Sequence, residues 1–131
     1  MSVGLLIISH EEIGRALIQT VIQTLGNSPL PVEILSVPKE CYPEALAEHA
    51  RKAAALLDHG AGVLVLTDMY GATPSNIATR LINGARIRIV TGLNLPMLMR
   101  VLNYSQLGLD QLAEKAVSGG REGVFLVARE T

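Results

Sequence analysis

The feature that most constrains the fold is an alternation of short apolar runs with segments of helical length. The short runs are rich in Val, Ile and Leu and have the length of buried β-strands. They cover residues 3–8, 32–37, 61–67 and 86–90. Alternation of this kind predicts an α/β protein with an open, mainly parallel sheet, flanked by helices and connected by right-handed crossovers.

The helical segments follow from apolar spacing and from their stop signals. Helices are predicted over residues 12–25, 44–59, from about 74 to 84, 97–104 and 109–117. Gly119 and Gly120 are expected to break the chain, and residues 123–128 read as a last strand. With 131 residues, the chain fits one compact domain, residues 1–131, that needs neither disulfides nor a structural metal.

The composition is more apolar than charged, with 49% hydrophobic and 18% charged residues. A parallel sheet covered on both faces explains part of this excess. The remainder indicates an interface between subunits, because small monomers expose only limited apolar patches. A homodimer is therefore expected.

Several classes of partner and site are disfavoured. The net charge is −1 and no dense Lys/Arg cluster occurs, which argues against nucleic acid and anionic membranes. The single Cys41 allows neither an intramolecular disulfide nor a zinc site made of thiolates. No His/Asp/Glu spacing indicates a metal, the apolar runs are too short to span a bilayer, and no signal peptide is recognisable. A cytoplasmic location is expected.

Binding sites of open α/β sheets lie at the carboxyl ends of the strands, which directs attention to His10. Ser9 and Glu12 have the spacing of a capping box, so Ser9 is predicted as the N-cap and His10 as the first helical residue. A neutral imidazole at a helix start is a competent nucleophile towards a phosphoryl group. The alternative is an ordinary surface histidine beside a helix cap.

Asp68 follows the most convincing buried strand and is expected to face the same crevice as His10. A carboxylate that accepts the N–H of one ring nitrogen leaves the other nitrogen free to attack. Aspartate also ends strands and caps turns without any chemical role, and that alternative stays open.

The loop after Asp68 is a candidate phosphoryl site. Gly71 permits unusual backbone conformations, and Thr73-Pro74 resembles an N-cap followed by proline at the first helical position. The sequence contains neither of the standard nucleotide-binding glycine motifs, which disfavours a nucleotide site of either type. It also lacks the nucleophile-elbow motif. No cofactor is expected.

Taken together, these motifs resemble the IIA domain of the mannose family of the bacterial phosphoenolpyruvate-dependent sugar phosphotransferase system. The matching pieces follow the family's order along nearly the whole chain. They are Leu6-Ile7-Ile8-Ser9-His10, Val63-Leu64-Val65-Leu66-Thr67-Asp68-Met69-Tyr70-Gly71-Ala72-Thr73-Pro74-Ser75-Asn76, Thr91-Gly92-Leu93-Asn94-Leu95-Pro96-Met97-Leu98 and Gly120-Arg121-Glu122-Gly123-Val124.

The resemblance implies a phosphotransferase component that carries phosphate on His10, with Asp68 as its hydrogen-bonding partner. It implies phosphorylated HPr as donor and a IIB domain or protein as acceptor. The residues expected beside the phosphoryl group are Ser9, Met69, Gly71 and Thr73. The family fold adds an antiparallel strand near the C-terminus that dimers exchange, here roughly residues 122–128. Tyr70 stands where members often carry a different aromatic residue, which bears on partner recognition.

Three other functions stay open. A free-standing IIA protein can act in regulation, with the phosphorylation state of His10 controlling partner binding and no sugar moved. The phosphocarrier of a dihydroxyacetone kinase shares the fold, but the Gly71-Ala72-Thr73-Pro74 and Gly92-Leu93-Asn94-Leu95-Pro96 pieces argue against it. A small-molecule-binding α/β module would leave His10 unmodified.

Overall fold

The computed structural model describes residues 2–82 and 86–128, and within them the chain forms four strands and five helices. Strands and helices alternate until two helices close the series. In order, they are β1 (Gly4–His10), α1 (Ile13–Leu25), β2 (Val32–Val37), α2 (Pro43–Leu57), β3 (Val63–Thr67), α3 (Thr73–Thr79), β4 (Ile87–Thr91), α4 (Leu95–Asn103) and α5 (Leu109–Glu122). The predicted end of α3 near Gly84 lies outside the described residues.

The four strands form one sheet in the order β2-β1-β3-β4, and every neighbouring pair is parallel. Ile7 of β1 pairs with Ile34 of β2 on one side and with Leu66 of β3 on the other. The predicted α/β architecture with a mainly parallel sheet is therefore confirmed. All four strands end at one edge of the sheet, called here the carboxyl edge.

Two hydrophobic clusters cover the two faces of the sheet. Side chains from β1 and β3 such as Leu5 and Leu64 pack on one face with residues of α1, α4 and α5. Leu6 and Val65 pack on the other face with residues of α2 and α3. Each fully buried Leu or Val contributes about 1.5–3 kcal/mol relative to exposure. Burial on both faces accounts for the continuous apolar runs in the sequence.

The helix α5 continues through Gly119 and Gly120, so the predicted break at these residues is wrong. Glycine lowers helix propensity, but here it allows α4 to approach closely. A Cβ on Gly119 would lie 2.7 Å from the Cβ of Arg100, and one on Gly120 would lie 2.9 Å from the Cε of Met97. Packing between the helices therefore outweighs local propensity.

Residues 123–128 do not pair with any strand in the described part of the chain. This segment, called here the tail, includes four consecutive apolar residues that are between 73% and 90% exposed: Val124, Phe125, Leu126 and Val127. The predicted last strand is thus absent from the sheet of the single chain. None of the helices within the described residues is both long and apolar enough to cross a membrane.

Candidate functional site

The carboxyl edge of the sheet brings together the loops that follow β1, β3 and β4. His10 is the last residue of β1, and Asp68 directly follows β3. Because β1 and β3 are parallel neighbours, with Ile8 opposite Thr67, these two side chains emerge from adjacent strand ends. The third loop, residues 92–94, is bonded to β3 through the N–H of Leu93, which donates to the carbonyl oxygen of Thr67 at 2.9 Å.

His10 and Asp68 form the closest polar contact of this edge. Nδ1 of His10 lies 2.7 Å from Oδ2 of Asp68, and the main-chain N–H of His10 donates to the same oxygen at 3.1 Å. A carboxylate only accepts hydrogen bonds, so Nδ1 carries a proton, and in the neutral ring Nε2 is then the nitrogen with the free lone pair. The His10 side chain is 40% exposed, whereas that of Asp68 is 11% exposed. The ring nitrogen opposite the bond is therefore the one available for chemistry.

The second carboxylate oxygen of Asp68 is buried. Within the part of the chain that the structure describes, Oδ1 has no hydrogen-bond partner. Both contacts that Asp68 makes with His10 therefore involve Oδ2.

Ser9 has a different role from the one predicted. The first helix begins at Ile13 with Glu12 as its N-cap, so the predicted capping box with His10 as first helical residue is wrong. The parallel ladder keeps Ser9 and His10 in β1, opposite Ser36 and Val37. Ser9 is fully buried, and its hydroxyl accepts the N–H of Gly14 at 2.8 Å. Adjacent strand residues face opposite sides, so the Ser9 hydroxyl and the His10 ring do not share a face.

The loop after Asp68 exposes two large side chains and tightens at a glycine. Met69 is 58% exposed and Tyr70 is 84% exposed. Gly71 has φ +84°, a conformation that favours glycine, and its N–H donates to the hydroxyl of Ser75 at 3.2 Å. Thr73 was predicted as the N-cap of α3, but it is the first residue of that helix. The N-cap is Ala72.

Five large apolar side chains are exposed at the carboxyl edge. Besides Met69 and Tyr70, they are Ile13 at the start of α1, Tyr42 before α2, and Leu95 at the start of α4. In a parallel sheet the helix that follows each strand begins at this edge, so the topology itself gathers these residues near His10. We call this set the apolar rim.

Asn94 and Glu11 also lie at this edge of the sheet. Asn94 caps α4 by accepting the N–H of Met97 at 2.9 Å, and its amide donates to the carbonyl oxygen of Gly120 at 3.1 Å. Glu11, which the sequence did not single out as a site residue, has φ 45°. Among the described residues no group of three or more His, Cys, Asp or Glu side chains could hold a metal ion.

Comparisons with known proteins identify relatives of this chain. The chain is 33% identical over 127 residues to the mannose-specific EIIAB component of the phosphotransferase system of Escherichia coli strain K12. That match covers 95% of this chain and 39% of the relative, so the chain spans about two fifths of the relative's length.

Solved structures of IIA proteins also have this fold. The mannose/sorbose-specific IIA subunit from Enterococcus faecalis superposes with a TM-score of 0.83 at 25% identity, covering 100% of this chain and 98% of that one. The IIA protein associated with the fucose utilisation operon of Streptococcus pneumoniae has a TM-score of 0.81 at 25% identity, covering 96% of each chain.

The family assignment rests on most of the chain. A family model described as "PTS system fructose IIA component" matches residues 4–117, which include His10, Asp68 and the loops that surround them. The match to the E. coli relative points to the mannose branch that the sequence motifs indicated. The chain therefore belongs to the fructose- and mannose-type IIA family of the phosphotransferase system, whose members are phosphotransferase components.

Proposed function

We propose that this protein is a cytoplasmic phosphoryl carrier in which His10 accepts phosphate from phosphorylated HPr and passes it to a IIB domain or protein. The observation that carries the proposal is the 2.7 Å contact between Nδ1 of His10 and Oδ2 of Asp68. Family membership supports the role of carrier, and this contact supports the choice of residue.

In the proposed reaction, the Nε2 lone pair of His10 attacks the phosphorus atom while the bond from phosphorus to the donor breaks. The ring gains positive charge because Nδ1 keeps its proton. Asp68 stabilises that charge from 2.7 Å, in a position where its carboxylate is mostly shielded from water. The same steps in reverse deliver the phosphoryl group to the acceptor. Since the transition state resembles metaphosphate, positioning and charge stabilisation provide most of the catalysis.

We propose that the loop after Asp68 binds the phosphoryl oxygens. Thr73 is the first residue of α3, and Gly71 makes the loop compact without a side chain. Met69 directly follows Asp68, and we propose that its exposed side chain limits the access of water when a partner protein is bound. Ser9 contributes to the same site indirectly, because its buried hydroxyl holds the start of α1 behind His10.

The apolar rim supports a protein as donor and acceptor. Tyrosine is enriched among the residues that dominate binding between proteins, and both Tyr42 and Tyr70 are more than 80% exposed. A small phosphorylated metabolite would instead require a concave, enclosed pocket around His10. A partly exposed nucleophile at the same edge as these apolar side chains is consistent with a protein partner.

We also infer that two copies of the chain exchange their tails. The strand β4 lies at the end of the sheet, and no other described segment pairs with its outer side. Grooves of about 670 and 570 Å³ lie beside β4 and share the lining residues Ile89, Val90, Val117 and Arg121. Exposed strand edges and exposed apolar segments are both unfavourable, and pairing one with the other removes both.

The direction of α5 determines how the tail would pair. Asn94 binds the carbonyl oxygen of Gly120, so α5 ends near the carboxyl edge of the sheet. Within one copy, a tail that continued from there beside β4 would run opposite to that strand. We propose that the exchanged strand likewise pairs antiparallel with the β4 of the second copy, as the family resemblance implies.

The central experiment is an intact-mass measurement after incubation with phosphoenolpyruvate, Enzyme I and HPr. We expect one acid-labile phosphate on the wild type, none on His10→Ala, and normal uptake by His49→Ala and His59→Ala, which alter exposed histidines on or after α2. Addition of a IIB protein should then remove the phosphate. Phosphate uptake by His10→Ala equal to that of the wild type would refute the assignment.

A further inference from the structure

Glu11 lies between the proposed nucleophile and the first helix, in a backbone conformation that is unusual for its residue type. Among residues 2–82 and 86–128, it alone of the non-glycine residues has a positive φ, of 45°. This left-handed region is unfavourable for a residue with a Cβ and persists where the surroundings hold it. Contacts with other residues must therefore stabilise this backbone conformation of Glu11.

Two hydrogen bonds do so, one with the last residue of β2 and one with the connection between β2 and α2. The N–H of Glu11 donates to the carbonyl oxygen of Val37 at 2.9 Å. Oε1 of Glu11 accepts the N–H of Lys39 at 2.8 Å. The main-chain bond extends the β1–β2 ladder by one step, whereas the carboxylate bond is independent of the ladder and depends on the side chain of Glu11.

This turn directly follows the proposed nucleophile His10. Only Glu11 and Glu12 separate β1 from α1, so the chain must reverse within two residues. On the strand side, Asp68 binds both the main-chain N–H and the ring of His10. On the helix side, the left-handed turn at Glu11 connects His10 to α1. A change of φ at Glu11 would shift the His10 backbone against Asp68.

We propose that Glu11 is a positioning residue for phosphoryl transfer. Its carboxylate, bound to the N–H of Lys39, holds the left-handed turn that keeps Nδ1 of His10 on Asp68 and Nε2 directed outward. This inference rests on the proposed carrier function of His10. Glu11 itself does not touch the phosphoryl group.

The chain offers variants that separate this role from simpler ones. Glutamine keeps an oxygen that can accept from Lys39 but removes the charge, so Glu11→Gln distinguishes the hydrogen bond from the electrostatics. Glu12 is a matched neighbour, since its exposed carboxylate pairs at 2.9 Å with Arg15 of α1 and not with the β2–α2 connection. Glu12→Ala therefore tests the loss of a nearby negative charge alone.

The experiment measures kcat and KM with phosphorylated HPr for the wild type, Glu11→Ala, Glu11→Gln and Glu12→Ala. In parallel, NMR follows the Nδ1–H signal of His10 in the unphosphorylated proteins. We expect Glu11→Ala to lower kcat on the order of tenfold at an unchanged KM, and to broaden or shift the Nδ1–H signal. Glu11→Gln should recover most of the rate and the signal, and Glu12→Ala should behave as the wild type.

Three results would overturn the proposal. They are an unchanged kcat in Glu11→Ala, a Glu11→Gln variant as slow as Glu11→Ala, and an equal loss in Glu12→Ala. If the wild type takes up no phosphate, the carrier function fails separately. The Nδ1–H signal then decides the role of Glu11 by itself: an unperturbed signal in Glu11→Ala rules out positioning.

Discussion

At the scale of single residues, the site depends on one carboxylate oxygen. Oδ2 of Asp68 accepts from the main chain and from the ring of His10, so it aligns the backbone and the side chain of one residue together. The bond to the ring also selects the tautomer that leaves Nε2 free. A change at Asp68 should therefore affect the rate of transfer more strongly than the binding of the donor.

We predict that Asp68→Asn slows phosphorylation of His10 by on the order of 10²- to 10⁴-fold with little change in KM for phosphorylated HPr. The amide nearly matches the shape of the carboxylate but lacks the charge that stabilises the imidazolium. Rapid-quench measurements of phosphate uptake would test this.

Asp58→Asn is the matched control for that experiment. Asp58 accepts the N–H groups of Gly60 and Gly62 in the turn before β3, at the opposite edge of the sheet. These two bonds lower the pKa of the Asp58 carboxyl group, so this side chain too serves as a charged acceptor. Uptake by Asp58→Asn should equal that of the wild type. An undiminished rate in Asp68→Asn would remove Asp68 from the mechanism.

At the scale of elements, the contact between α4 and α5 depends on two adjacent glycines that differ in what they face. Gly119 faces the Cβ of Arg100 and the carbonyl oxygen of Pro96, both close to rigid backbone. Gly120 faces the terminal methyl group of Met97, which can move aside. Both positions are helical, so alanine would improve helix propensity equally at each.

We predict that Gly119→Ala destabilises the protein by about 1–3 kcal/mol, because a methyl group there forces α4 and α5 apart. The matched variant Gly120→Ala should change stability by less than about 1 kcal/mol, since the displaced methionine offsets the gain in propensity. Urea unfolding at one fixed protein concentration would measure both, because association shifts apparent stability. Equal stability of the two variants would show that close packing does not explain the glycines.

At the scale of the whole molecule, the chain leaves two unsatisfied features at adjacent places. Within residues 2–82 and 86–128, no strand pairs with the outer side of β4, and the tail exposes consecutive apolar residues. The exchange of tails would satisfy both without any rearrangement of the nine elements. It would also place the exchanged strands beside the 92–94 loop, which is bonded to β3 next to Asp68.

We predict that the wild type is a dimer and that truncation after Gly123 yields a folded monomer. The truncation removes the exchanged strand but keeps α5, which ends at Glu122. Sedimentation velocity would give the oligomeric state, and circular dichroism would report the fold.

Leu56→Asp provides the control for the dimer. Leu56 is 78% exposed on α2, away from β4, so its substitution should leave the dimer intact. Persistence of the dimer after truncation would refute strand exchange, as would a monomeric wild type.

The sequence alone determined the parallel α/β sheet, since apolar runs of strand length alternate with helical segments. Strands that are covered on both faces of a parallel sheet are apolar along their whole length, and these runs have that composition. The motifs around His10 and Asp68 also indicated the family. Local patterns failed where two elements compete: Ser9 has the spacing of a capping residue, yet the β1–β2 ladder retains it as a strand residue.

The sequence predicted that Asp68 meets His10 across 58 positions, but only the tertiary structure decided which atoms of the two residues are in contact. It alone revealed the bond from the N–H of Lys39 to Glu11, which crosses 28 positions. Gly119 and Gly120 resemble a helix break until α4 lies against them. Propensity and periodicity act over a few residues, whereas the sheet register and helix packing bring distant residues together. The strained turn at Glu11 arises from that packing.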